Sequence, residues 1–285
     1  MECGVDGSMR GTNIWERAKH PELRHYCDLL ATGASKLVSP STAADALREA
    51  DEAETVMPGH AAPRTLKGRA LAKLGRFTEA YASFTDAKSR DARALDDPAA
   101  LLAYARSASR SGHAPEALAA FRSLLPRADS LGSGERAAAY VEAAILAMES
   151  GAGQLDDAIA MLRQARREST DALQPVATLA LALALDRSGA KDEAKALLDE
   201  RAKAAARNVA RDPNVQQLLG PLAFEGEAMA AMGLEQSDAV AGQAAWQRFI
   251  TGAGQSTTWV EHARSHSGPV RPSAQQPQPP RGGHR

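Results

Sequence analysis

Few residues in this 285-residue chain have the types and spacing that chemistry requires. His262 and His266 stand four apart, a spacing that puts two imidazoles on one helix face where they could ligate a metal. No third ligand is evident beside them, and they read as solvated histidines near a helix end. Gly151-Ala152-Gly153-Gln154 and Gly252-Ala253-Gly254-Gln255 carry the glycines of a phosphate-cradling loop, but each follows a helical stretch rather than a strand. They read as inter-helix turns. Asp45, Glu49, Asp51, Glu52 and Glu54 crowd one helix and read as a solvated acidic face. No nucleophile elbow, P-loop, H-E-x-x-H or EF-hand loop is present. The expectation is a non-enzymatic chain with no catalytic residue, cofactor or metal.

The two cysteines, Cys3 and Cys27, lack C-x-x-C spacing, which excludes a Cys-based zinc finger and a disulfide-dense secreted scaffold. They read as free thiols. An alternative attaches to Cys3: followed by Gly4-Val5-Asp6-Gly7-Ser8, it looks like the start of a mature bacterial lipoprotein and would be the lipidation site. That alternative needs an upstream hydrophobic leader, because residues 1–12 contain no apolar run. The longest apolar run, Val176 to Leu185, is about half of what a bilayer span requires. Taken at face value the chain is cytoplasmic; as a lipoprotein it would sit on the periplasmic face of an envelope membrane.

The elements that must position these residues are helices. Ala occurs 61 times and Leu 29 times, while aromatics make up 4%. Ala and Leu are strong helix formers, and the residues that strands favour are scarce. A net charge of −1 disfavours a nucleic-acid binder, which needs a basic stripe. Composition divides the chain into a flexible lead-in (1–20), a helical body (21–265) and a Pro/Gln/Arg-rich tail (266–285) that cannot bury enough apolar surface to order itself. Thr178 to Leu185 alternates with period two, as a strand would. Its alternate residues are Ala, however, and Gly189 with Glu193-Ala194 repeats a hairpin turn seen elsewhere, so it reads as a helix.

The body repeats itself. Gly75, Ala80 and Phe84 recur as Gly112, Ala117 and Phe121, 37 positions on. Each unit reads as a helix, a turn at Gly and a second helix opening with an acid and Ala. Gly68, Gly75, Phe77, Ala80, Phe84 and Ala87 together make this pattern similar to the tetratricopeptide repeat, a helix hairpin of roughly 34 residues. Arg64 departs from it at the Trp/Leu position. Further copies fit around Leu30–Pro58, Tyr140–Ala165, Ala182–Leu198 and Leu222–Ile250, with Thr257–His266 as a capping helix anchored by Trp259. The resemblance implies an all-α, right-handed α-solenoid of about six hairpins plus a C-terminal cap, bacterial in its Ala-rich flavour. A single hairpin cannot bury both faces, so neighbours must stack.

The resemblance also implies a concave groove lined by the first helix of each unit. Carried over by register, the lining is Thr65, Arg69 and Lys73; Leu102, Arg106 and Arg110; Val141, Ile145 and Met148; and Val176, Leu179 and Leu183. The first two sets are basic and the last two apolar. Such a groove suits a protein partner presenting an extended or helical peptide with an acidic end and an apolar anchor. Thr65 and Arg69 stand where the carboxylate-clamp subtype carries Lys and Asn, so chaperone C-termini are not implied. The implied role is an interaction scaffold; the alternative is a Cys3-anchored envelope lipoprotein assisting assembly of a surface, secretion or motility complex.

Overall fold

The computed structural model describes residues 2–3, 9–10, 21–170, 172–254 and 257–267. Apart from one two-residue ladder, every regular element among the described residues is helical. The ladder pairs β1 (Glu2–Cys3) with β2 (Met9–Arg10) antiparallel, Cys3 opposite Met9. Cys3 is disulfide-bonded to Cys27 on α1 (Pro21–Lys36), with Cα atoms 5.4 Å apart. This corrects the reading of two free thiols. Spacing along the chain could not reveal the pair, because a helix and a strand bring the two sulfurs together. Cys27 is buried in a cluster with Leu23, Tyr26, Leu29 and Ala53.

The chain forms two compact units: Met1–Ala147 with Ala160–Gln174, and Met148–Ile159 with Pro175–Arg285. In the first, α1 pairs with α2 (Ala43–Val56), α3 (Ala61–Lys73) with α4 (Phe77–Arg90), and α5 (Pro98–Arg110) with α6 (Ala114–Leu124). Each helix packs on the next, and α1, α3 and α5 also pack on one another, the stacking of an α-solenoid. Most of α7 (Ser133–Glu149) and the later part of α8 (Leu155–Glu168) complete this unit.

The repeat signature has a physical cause in each hairpin. Gly75 and Gly112 take φ of 75° and 83°, a region side-chain-bearing residues avoid. There the chain leaves the helix with Arg76 N–H donating to Leu71 O (2.9 Å) and His113 N–H to Ala108 O (2.9 Å), the 6→1 bond that closes a helix C-terminus. Gly68 serves close approach instead: a Cβ there would lie 2.9 Å from the ring of Phe84. Phe84 in turn meets Tyr104 of the next hairpin edge-on at 6.0 Å, and Phe84 and Phe121 are both fully buried.

In the second unit, α9 (Gln174–Arg187) is helical, and every residue from Val176 to Arg187 is buried. The expected second helix of this hairpin is broken. The segment α10 (Lys191–Leu197) ends, and Asp199 caps a new helix, α11 (Glu200–Ala206), by accepting from Ala202 N–H at 2.8 Å. Asp212 accepts from Asn214 N–H (2.8 Å) and opens α12 (Pro213–Leu219), with Pro213 in the first turn. Next come α13 (Glu225–Leu234), which packs on α11, then α14 (Ala239–Ala253) and the capping helix α15 (Val260–His266). The cap begins three residues later than the sequence suggests and takes in His266, the first residue assigned to the tail. The rest of the expected tail, beyond residue 267, lies outside the described residues, as does most of the lead-in. No described helix is long and apolar enough to cross a membrane.

Candidate functional site

The residues expected to line one groove have very different surroundings. In the first unit Lys73 is exposed at the end of α3. One turn earlier Arg69 lies 3.5 Å from Asp97. Thr65 donates its hydroxyl to Ala61 O (3.2 Å) and Ala94 O (3.3 Å). On α5, Arg106 grips Glu142 of α7 with both Nε (2.9 Å) and Nη2 (2.7 Å). Burial lowers the Arg106 pKa, but the Glu142 charge and hydrogen bonds outweigh it and hold the guanidinium above its ordinary value. Arg110 sits over the Phe77 ring at 4.5 Å, and burial pulls its pKa down.

The apolar members correct the sequence reading. Leu102, Val141, Ile145, Met148, Val176, Leu179 and Leu183 are all buried, with Ile145, Met148, Leu179 and Leu183 at 1% exposure or less. They belong to the core of this structure. The reason is visible at Leu179: a Cβ on Gly233 of α13 would lie 2.9 Å from its Cδ2 and 2.4 Å from Ala206 of α11. At Leu179 the neighbouring helices thus close over the side chain.

The second unit assembles chemistry that the sequence did not foretell. At the end of α9, Asp186 and Arg187 are buried side by side. The Arg187 side chain is fully buried; Nη2 donates to Glu225 Oε1 of α13 (2.9 Å), and Nη1 lies 3.7 Å from Glu149 Oε1. Its guanidinium also lies 4.8 Å from the Trp259 ring centroid, and Trp259 Nε1 donates to Met148 O at 2.8 Å. Two carboxylates thus share one cation. Burial first, and the Glu225 carboxylate next, push Glu149 up to about 8, against the pull of Arg187 and a 3.2 Å hydrogen bond from Thr257.

Beside this, the two histidines meet the missing third group. His262 Nε2 is 2.8 Å and His266 Nε2 2.9 Å from one oxygen, Asp186 Oδ2. Neither contact has hydrogen-bond geometry, and neither nitrogen of His262 has a hydrogen-bond partner. The rings are not solvated, as the sequence suggested, but only 16% and 12% exposed. His266 Nδ1 lies 2.8 Å from Glu235 Oε1, which also accepts from Trp246 Nε1. Burial lowers the pKa of His266, but Asp186 and Glu235 overcome it and lift the ring to about 9. Burial likewise raises Asp186, and the two imidazoles reverse it, holding the carboxyl well below the usual range. The i, i+4 histidine spacing was the available signal; the third ligand comes from a helix remote in sequence.

The fold defines the class of protein: an all-α chain of consecutive helix hairpins. No protein-family model matches it, and no curated protein does either. Among solved structures it is similar to the Rap conjugation gene regulator of the plasmid pLS20 in complex with the Phr* peptide, at 16% identity and a TM-score of 0.38, over 91% of this chain and 78% of that one. A likeness of that size assigns no role to any residue here.

Proposed function

We propose that the chain is a non-enzymatic interaction scaffold of tetratricopeptide type. The face that binds is the basic face of α3 and α5 in the first unit, and the partner is a protein segment with an acidic end. The carrying observation is the placement of basic residues at two matching register positions of successive first helices. Arg69 and Lys73 on α3 are followed by Arg106 and Arg110 on α5, with Lys73 exposed. Asp97 lies against Arg69 and Glu142 against Arg106. The apolar anchor expected from the sequence has no place in this reading, since its residues are core. Electrostatic complementarity of this kind sets association rate and salt dependence more than raw affinity.

A photocrosslinking residue at Lys73, compared with one at the exposed Thr85 on α4, tests this in the native host. The expected result is one dominant adduct from position 73 and none from 85. Capture should weaken as salt rises and fall sharply in Arg69→Glu/Lys73→Glu. Capture indifferent to both salt and charge reversal would remove the proposal.

Sulfur chemistry bears on the compartment. A disulfide such as Cys3–Cys27 persists where the environment is oxidising, which supports placement outside the reducing cytosol. The lipoprotein alternative needs the Cys3 sulfur for a thioether, so the lipid and the disulfide are competing fates of one atom.

A further inference from the structure

Asp186, His262 and His266 belong to no part of the scaffold reading, and their arrangement is unusual for a cluster held by protons alone. Three potential donor atoms, Asp186 Oδ2 and the two Nε2 atoms, all lie within 4.8 Å of one another. All three lack a hydrogen-bond partner, and Asp186 is 4% exposed. Buried polar atoms in a folded protein are almost always paired in well-aligned hydrogen bonds, whereas these three converge at 2.8 and 2.9 Å as ion-pair contacts without that alignment, which needs an account.

The surroundings hold the rings in place. Glu235 engages His266 through Nδ1 at 2.8 Å, which leaves Nε2 facing Asp186, where a metal ion would take the place of the ring proton. A carboxylate behind a ligating histidine is the usual outer support of a metal site, fixing the tautomer and raising ligand basicity. Trp246, which donates to the same Glu235 oxygen, stacks on the His266 ring at 4.9 Å. His262 is held edge-to-face by Trp246 at 6.0 Å and by Trp259 at 6.1 Å. His262 and His266 sit one turn apart on α15, and Asp186 ends α9.

We propose that Asp186, His262 and His266 bind a divalent first-row transition ion, Zn2+ foremost, which pins the capping helix α15 to the end of α9. Two imidazoles and one carboxylate suit zinc and its neighbours; calcium and magnesium prefer all-oxygen sets. With metal–ligand bonds of about 2.0–2.2 Å, donors around a tetrahedral ion stand about 3.3 Å apart. The triangle here, with sides of 2.8 and 2.9 Å to Asp186, reaches that size by small side-chain rotations. Three protein ligands leave a fourth position for water or an exogenous anion, and the partial exposure of both rings leaves a path to it.

The test uses the full, tag-free chain, stripped with chelator and dialysed. Co2+ is the optical probe and Zn2+ the competitor. Expected are about one Co2+ per chain with visible d–d absorption, displacement by Zn2+, and a thermal transition that rises with either ion. His262→Gln and His266→Gln should each abolish the absorption band. Glu235→Gln should weaken binding by about 10–100-fold while keeping the band, as loss of an outer support does. His113→Ala, a histidine of the first unit, should change nothing. Should Asp186→Asn fail to fold, the partly exposed His262 carries the test alone. No stoichiometric binding, or binding unchanged in His262→Gln, overturns the proposal.

Discussion

At the scale of single residues, burial decides most outcomes. Phe121 and Phe84 are fully enclosed, and truncation leaves a hole that the stacked helices fill poorly. Phe121→Ala should cost about 3–5 kcal/mol, read by denaturant titration at unchanged m-value. Glu149 makes the opposite kind of prediction. Its folded pKa of about 8 lies above its ordinary value of 4.5. Between those two pH values the folded chain holds a proton that the unfolded chain has released. Stability is therefore greatest at the lower end and is lost as pH rises toward about 8, by an amount on the order of a few kcal/mol. Glu149→Gln keeps an amide beside Thr257 and Arg187 but cannot ionise. Thermal melts from pH 5 to 9 should show a shallower decline for the variant than for the native chain. An identical slope would mean that the Glu149–Glu225–Arg187 cluster carries both negative charges without strain.

At the scale of elements, two glycines separate conformation from packing. Gly75 sits at φ 75° with open space around it, so Gly75→Ala strains the backbone and touches nothing; it should cost about 1–2 kcal/mol. Gly68 is helical, and Gly68→Ala gains helix propensity but drives a methyl to within 2.9 Å of the Phe84 ring. It should destabilise too, and Gly68→Ala combined with Phe84→Leu should recover part of the loss. Non-additivity in that double-mutant cycle, and additivity for Gly75→Ala with Phe84→Leu, is the measurement. These same residues explain what was legible in the sequence. Turn glycines and enclosed alanines act locally, so their spacing revealed the hairpins and the helical nature of Thr178–Leu185. The break at Asp199 was missed because an N-cap is a one-residue signal inside an otherwise helical stretch, and it looks like a surface acid until the chain bends. The site was less legible than the fold. Ligand register assumes an open first-helix face, and Leu179 is instead enclosed, with Gly233 of α13 against it. Asp186 joined His262 and His266 only through tertiary packing, which no spacing records.

At the scale of the whole molecule, the question is which environment the chain is built for, and the chemical state of Cys3 is the test of it. Cys27 is 1% exposed within a helix, whereas Cys3 is half-buried on a two-residue strand, so the pair has one sheltered and one accessible sulfur. Protein matured in an oxidising compartment should yield a Cys3–Cys27 cross-linked peptide under non-reducing digestion and take up no alkylating agent. After mild reduction of the folded chain, Cys3 should be alkylated first and Cys27 slowly, because attack on a buried thiol requires local opening. Cys27→Ser should leave Cys3 constitutively reactive. The competing fate gives a different signature: a lipidated Cys3 adds the mass of an acylated glyceryl group to its peptide, leaves Cys27 a free thiol, and is unaffected by reductant. Recovery of that species from the native host would assign the chain to a membrane face and make the disulfide an artefact of unlipidated protein. Recovery of the cross-linked peptide, with Cys27 inaccessible until reduction, would place a disulfide-tied chain in an oxidising space.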